Sequence, residues 1–213
     1  MKNFEIRKDK GIISNEFLNK NITDFHSASK YVSELPYKRN SDKNNIQCVF
    51  KDLVGTCSTK HAILRKLALE NDQKDVKLIL GIFKMDAAYT QKIKSTLEKF
   101  NVKYIPEAHN YLKIGDEYFD FTKPNSDYAD FKSKLLIEKE IEYNEIVDEK
   151  ISFHKDFLKK WIADENIPYS LDEIWNIREQ CIKDLQKNDE VEIQNSSSVC
   201  FANSPEASDD YKV

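Results

Sequence analysis

The sequence GTCSTKHAIL, residues 55–64, passes from small polar residues directly into a helical pattern. The pattern predicts a helix over residues 58–71, whose apolar side comprises Ile63, Leu64, Leu67 and Ala68. Cys57 precedes this helix, where the positive end of the helix macrodipole stabilises a thiolate. We interpret the segment as the central helix of a domain with a reactive cysteine at its start.

The surrounding segments predict an α+β domain, in which the central helix packs on an antiparallel sheet and further helices follow toward the carboxyl end. Residues 76–83 are nearly all apolar, as in a strand that is covered on both faces. A hairpin is predicted from strands at residues 109–114 and 117–122, joined by Gly115-Asp116. Helices are predicted over residues 15–20, 23–35 (with Thr23 as N-cap), 89–100, 129–141, 147–163 and, after a capping box at Ser170, to residue 185.

The predicted hairpin brings a histidine and a carboxylate together. With a two-residue loop, Tyr111 lies opposite Asp120, so His109 and Asp120 lie diagonally on one face of the sheet. A three-residue loop would place them on opposite faces. We expect Nδ1 of His109 to bond to Asp120 and the other ring nitrogen to face Cys57.

Cys57, His109 and Asp120 together form a pattern typical of a thiol-nucleophile triad. In that hypothesis Cys57 attacks an acyl carbon as a thiolate, and His109 takes up and returns the proton. Asp120 orients the imidazole and favours its charged form. Backbone N–H groups at the helix start, including that of Cys57, hold the developing oxyanion.

Two other arrangements of the same residues stay open. His61 lies one helical turn after Cys57 and is an alternative base, although the sequence offers it no obvious carboxylate partner. Cys57, His61, His109 and Asp120 could instead form a zinc site, but structural zinc sites favour more cysteines. Gln47 is a weak candidate for an oxyanion-hole side chain. Cys48, Cys181 and Cys200 lack a histidine or carboxylate context and are interpreted as inert.

The composition excludes several classes of protein. The chain has 213 residues with 33 basic and 37 acidic side chains, and its net charge of -4 favours neither nucleic acid nor an anionic membrane. No apolar run approaches the roughly 18 residues of a membrane span, and the first ten residues lack the apolar core of a secretory signal. The four cysteines form no close pair, so we expect a cytoplasmic protein without a disulfide framework. Residues 1–188 are interpreted as one domain and residues 189–213 as an acidic, disordered tail.

Three short motifs resemble the transglutaminase-like superfamily: Gly55-Thr56-Cys57, Ala108-His109 and Tyr118-Phe119-Asp120. In that superfamily a Gly-x-Cys turn opens the central helix of a papain-like core, and His and Asp follow on adjacent antiparallel strands. The likeness covers residues 47–122 and is nearest to bacterial members of unassigned substrate. The chain departs from the family pattern at Ser58-Thr59, where an aromatic residue usually follows the cysteine.

The triad and the resemblance together lead us to expect cleavage of an amide-type acyl bond through a thioester. Hydrolysis is favoured over transfer of the acyl group to an amine, because nothing in the sequence identifies a site for a second substrate. The implied substrate is a peptide, a protein or a small amide, with no cofactor and no metal. The alternative is an inactive transglutaminase-like protein that uses the Cys57 cleft only for binding.

Overall fold

The computed structural model describes residues 1–185, which form a four-stranded antiparallel sheet with helices on both faces. The helices are α1 (Ile12–Leu18), α2 (Phe25–Glu34), α3 (Cys48–Asp52), α4 (Cys57–Glu70), α5 (Lys94–Lys99), α6 (Ala129–Lys132), α7 (Asp148–Asp164) and α8 (Leu171–Leu185). The strands are β1 (Val76–Met85), β2 (Ile105–Ile114), β3 (Glu117–Phe119) and β4 (Leu135–Ile141), and their order in the sheet is β3-β2-β1-β4. The predicted tail at residues 189–213 lies outside the described residues.

The core is divided by the sheet into two layers. Alternate residues of β1, such as Leu78 and Leu80, pack with α1, α2 and α4 on one face. Ile79 and Phe83 point to the opposite face and pack with α5, α7 and α8. The prediction that this strand is covered on both faces is therefore confirmed, and so is the packing of the central helix on an antiparallel sheet.

The hairpin has the predicted register. Leu112 pairs with Phe119 and Ile114 pairs with Glu117, around a two-residue turn at Gly115-Asp116. Gly115 adopts φ 60°, a left-handed conformation that glycine occupies without the steric cost of a Cβ. This register places the chain after β3 beside His109, the arrangement on which the predicted site depends.

The predicted helix over residues 129–141 is wrong. Only α6 is helical there, and the chain then forms β4, whose Ile137 lies opposite Ile82 and whose Ile141 lies opposite Leu78 of β1. The segment is rich in Leu, Lys and Glu, which have high helix propensity. Hydrogen bonding to the free edge of β1 outweighs that local preference, as tertiary pairing commonly does.

The remaining differences are local. Asp24, rather than the predicted Thr23, caps α2, because its Oδ1 accepts a hydrogen bond of 3.0 Å from the backbone N–H of Ser27. Helix α3 was not predicted, and the predicted helix at residues 89–100 is a 3-10 turn at Gln91–Ile93 followed by α5. Among residues 1–185, no helix has both the length and the apolar character that crossing a bilayer requires.

Candidate active site

Cys57 is the first residue of α4, and a reciprocal capping arrangement fixes its position. The backbone N–H of Thr56 donates to Oγ1 of Thr59 at 3.0 Å, while the Thr56 side chain accepts from the backbone of Thr59. Cys57 is only 6% exposed. A residue at this position has no acceptor for its N–H within the helix, so that N–H is free to bind an oxyanion.

His109 and Asp120 meet as the hairpin register predicts, although through the other ring nitrogen. Nε2 of His109 lies 2.9 Å from Oδ2 of Asp120, so the prediction that Nδ1 makes this bond is wrong. Diagonal positions are farther apart than directly opposed ones, and Nε2 at the tip of the ring spans the longer gap. The Cys57 thiol and the His109 ring each shift the pKa of the other, so the two groups lie close together. Nδ1 is the ring nitrogen that Asp120 leaves unengaged.

The Asp120 carboxylate is held by its neighbours on the far side from His109. Oδ1 accepts hydrogen bonds from the backbone N–H of Thr122 at 2.8 Å and from the Thr122 hydroxyl at 2.5 Å. The carbonyl oxygen of Thr122 accepts from Nζ of Lys60 at 2.7 Å, and Lys60 also donates to the carbonyl of Leu35 at 2.5 Å. Lys60 is fully buried on α4, so the helix that carries Cys57 also anchors the segment that carries Asp120.

His61 is bonded to the backbone through both ring nitrogens. Nδ1 lies 2.7 Å from the carbonyl oxygen of Cys57 and must donate, while Nε2 accepts from the N–H of Phe121 at 2.8 Å. The ring is therefore neutral, and burial lowers its pKa to about 4 although Asp120 lies nearby. The sequence suggested no carboxylate partner for His61, and the structure places its Nε2 3.5 Å from Oδ1 of Asp120. The ring still has no nitrogen left for a substrate proton.

The same two bonds bear on the alternative of a zinc site. With both nitrogens of His61 engaged, the ring cannot supply a ligand to a metal held by Cys57, His109 and Asp120. In the described part of the chain, no group of three or more His, Cys, Asp or Glu side chains has the arrangement of a metal site.

Lys150 completes the site and was not predicted from the sequence. Its Nζ lies 3.8 Å from Sγ of Cys57 and donates to Oγ of Ser58 and Oδ1 of Asn110, both at 2.8 Å. Asn110 is fixed in turn by a bond of 3.2 Å to the carbonyl oxygen of Ile79. The available signal was the position of Lys150 one helical turn before His154, on the predicted buried side of α7.

These charges shift the pKa values of the thiol and the imidazole in opposite directions. Burial raises the pKa of Cys57, but the Lys150 ammonium and the His109 imidazolium outweigh it and lower the pKa to about 6. Burial lowers the pKa of His109, whereas the Asp120 carboxylate and the Cys57 thiolate raise it to about 10. Between these values the site holds a thiolate and an imidazolium.

The other cysteines in the described residues lack such a setting. Burial raises the pKa of Cys181 to about 12 and also raises that of Cys48, whose thiol donates to the carbonyl of Asp42 at 2.9 Å. Cys200 lies outside the described residues. Gln47 lines neither of the cavities that Cys57 borders.

Cys57 lies between two cavities. The first cavity has a volume of about 340 Å³ and is bordered by α7, α8 and the loop before α3. Its charged lining residues are Arg39, Lys43, Glu107, Lys150, Arg178 and Glu179. The second has a volume of about 470 Å³, includes His109 and Asp120, and has an apolar wall of Phe83, Met85, Ala88, Tyr89, Ile182 and Leu185. A substrate that crosses Cys57 would therefore meet a cavity with more basic than acidic side chains on one side. On the other side it would meet a cavity that combines this apolar wall with charged side chains, among them Asp120, Asp130 and Lys134.

No protein-family model matches this chain, and it has no significant match among curated proteins or solved structures. The assignment of the site therefore depends on its own geometry.

Proposed function

We propose that the chain is a cysteine hydrolase that cleaves an amide-type acyl bond through a thioester on Cys57. The observation that carries the proposal is the contact of 2.9 Å between Nε2 of His109 and Oδ2 of Asp120. The same His109 ring interacts electrostatically with the Cys57 thiol at the start of α4. A buried cysteine with a pKa lowered to about 6 by two neighbouring cations has the character of a nucleophile.

In the first half of the reaction, the Cys57 thiolate forms a bond to the carbonyl carbon, and the carbonyl oxygen takes the negative charge. The N–H of Cys57 and the positive end of α4 stabilise this oxyanion. The carbon–nitrogen bond then breaks, and His109 gives its proton to the departing amine. The products of this half are a free amine and a thioester on Cys57.

In the second half, His109 removes a proton from a water molecule that attacks the thioester carbon. The carbon–sulfur bond breaks, a carboxylic acid leaves, and Cys57 returns to the thiolate with His109 protonated. Asp120 keeps the His109 ring oriented in both halves and favours the imidazolium, because the Asp120 carboxylate stays ionised. Burial raises the pKa of Asp120, but the His109 imidazolium outweighs burial and holds that pKa well below the usual range.

We further propose that the domain belongs to the transglutaminase-like superfamily and shares its papain-like core. Supporting this are the order of cysteine, histidine and aspartate along the chain, the position of Cys57 at the start of α4, and that of His109 on β2 with Asp120 just after β3. The implied substrates are peptides, proteins or small amides.

Acylation by an activated ester tests the proposal. With p-nitrophenyl acetate near neutral pH, we expect a burst of about one equivalent of nitrophenolate, one acetyl group per chain by mass spectrometry, and its location on Cys57. The adduct should then disappear as water hydrolyses the thioester, and Cys57→Ser should lose the burst.

Two outcomes would contradict this proposal. Acetylation of Cys48, Cys181 or Cys200 as fast as Cys57 would show that Cys57 has no special nucleophilicity. An adduct on Cys57 that is never hydrolysed would instead favour the alternative of a binding protein that retains the site.

A further inference from the structure

The position of His109 indicates which of the two cavities beside Cys57 would hold the leaving group and which would hold the acyl group. In the proposed reaction His109 gives its proton to the leaving amine, and His109 lines only the larger cavity. The leaving group therefore lies on that side, and the acyl group lies in the smaller, charged cavity. Thr56, Ser58 and Lys150 line this smaller cavity together with Cys57.

The cations of the smaller cavity exceed its carboxylates. Arg178 forms a bidentate pair with Glu107, at 2.7 and 2.6 Å, and Arg39 lies 2.7 Å from Glu179. These contacts account for both glutamates that line the cavity.

Lys43 and Lys150 remain without an ion pair among residues 1–185. Lys150 donates only to the neutral oxygens of Ser58 and Asn110 and to the Cys57 sulfur. Within the described residues, Lys43 has no carboxylate at ion-pair distance. Burial and the nearby Arg39 lower its pKa, although Glu179 opposes the shift. The cavity therefore has an excess of two positive charges before the thiolate is counted.

We propose that this cavity binds a carboxylate on the acyl group, so that the substrate is an amide of an acid with a second carboxylate, such as the monoamide of a dicarboxylic acid. This inference rests on the proposed function. When Cys57 forms a thioester it loses its negative charge, and Lys150 then has no carboxylate at ion-pair distance among residues 1–185. Glu107 interacts with Lys150 only at longer range and is already paired with Arg178. A carboxylate on the bound acyl group supplies that partner, with Lys43 as the second cation.

Two alkylating agents of nearly equal size test the proposal with the full chain. Iodoacetate carries a carboxylate next to the reacting carbon, and iodoacetamide carries a neutral amide there. We measure both rates at Cys57 at low ionic strength and compare their ratio, iodoacetate over iodoacetamide, with the ratio for a small thiol such as 2-mercaptoethanol. The ratio at Cys57 should be about tenfold higher, since two nearby cations attract the anion, and added salt should reduce it.

A matched pair of lysine variants locates the effect. Lys43→Gln should lower the ratio about threefold, because the variant removes one of the two cations that attract iodoacetate. Lys8→Gln, at an exposed lysine outside both cavities, should leave the ratio unchanged.

A ratio at Cys57 no higher than that of the small thiol would overturn the carboxylate site, and so would equal ratios in the wild type and Lys43→Gln. Either result would leave the proposed hydrolase intact if Cys57 still forms the acetyl adduct. Failure of Cys57 to react with either reagent would overturn the proposed function and this inference with it.

Discussion

The His109→Gln variant is expected to ionise Cys57 about two pH units higher than the wild type does. In the wild type, Lys150 and His109 together lower the thiol pKa to about 6 against the effect of burial, and the variant keeps only Lys150. The pH dependence of alkylation by iodoacetamide measures the shift as a change of midpoint. The midpoint is a better readout than the rate at one pH, because a thiolate of higher pKa is also intrinsically more nucleophilic.

His61→Gln is the matched control for this prediction. His61 is neutral and bonded to the backbone through both nitrogens, so its loss should move the midpoint much less. Asp120→Asn should shift the midpoint upward, because His109 loses the carboxylate that favours its protonated form. A larger shift in His61→Gln than in His109→Gln would move the base to the helix and leave His109 structural.

The Glu107→Gln variant is expected to lower the free energy of unfolding by about 3 kcal/mol. Glu107 on β2 and Arg178 on α8 form a bidentate ion pair whose side chains are only 10% and 13% exposed. Without the carboxylate, the Arg178 guanidinium stays largely buried with Glu179 as its remaining carboxylate partner. Urea-induced unfolding at equilibrium measures the loss, provided that the slope with urea concentration is the same in both proteins.

Glu140→Gln is the control for the stability prediction. Glu140 pairs with Lys77 at 2.8 Å across β4 and β1, but these side chains are 45% and 44% exposed. An exposed pair of this kind contributes less than about 1 kcal/mol. Equal losses in the two variants would contradict the claim that the buried pair holds α8 against the sheet.

The parts of the site that the sequence predicted are those with local signals. Cys57 lies at the junction of a polar turn and a helical pattern, and His109 and Asp120 are linked by a two-residue turn that determines their shared face. The choice between the two nitrogens of His109 was not predictable in the same way. It depends on how far the ring must reach from β2 to the end of β3.

The parts that sequence reasoning missed depend on contacts between distant residues. Lys150 is 93 positions from Cys57, and no periodicity connects a lysine on α7 with a thiol on α4. Glu107 and Arg178 are 71 positions apart. Strand β4 has the composition of a helix and becomes a strand only because β1 has a free edge.

The thiolate of Cys57 can be titrated directly through its ultraviolet absorbance, as the difference between the wild type and Cys57→Ser across a pH series. We expect a midpoint near 6, where the thiolate forms beside Lys150 and the His109 imidazolium. The absorbance should then remain constant as pH rises toward 10, where His109 loses its proton. A midpoint at or above the ordinary cysteine value of about 8.5 would contradict the ion pair, and with it the proposed nucleophile.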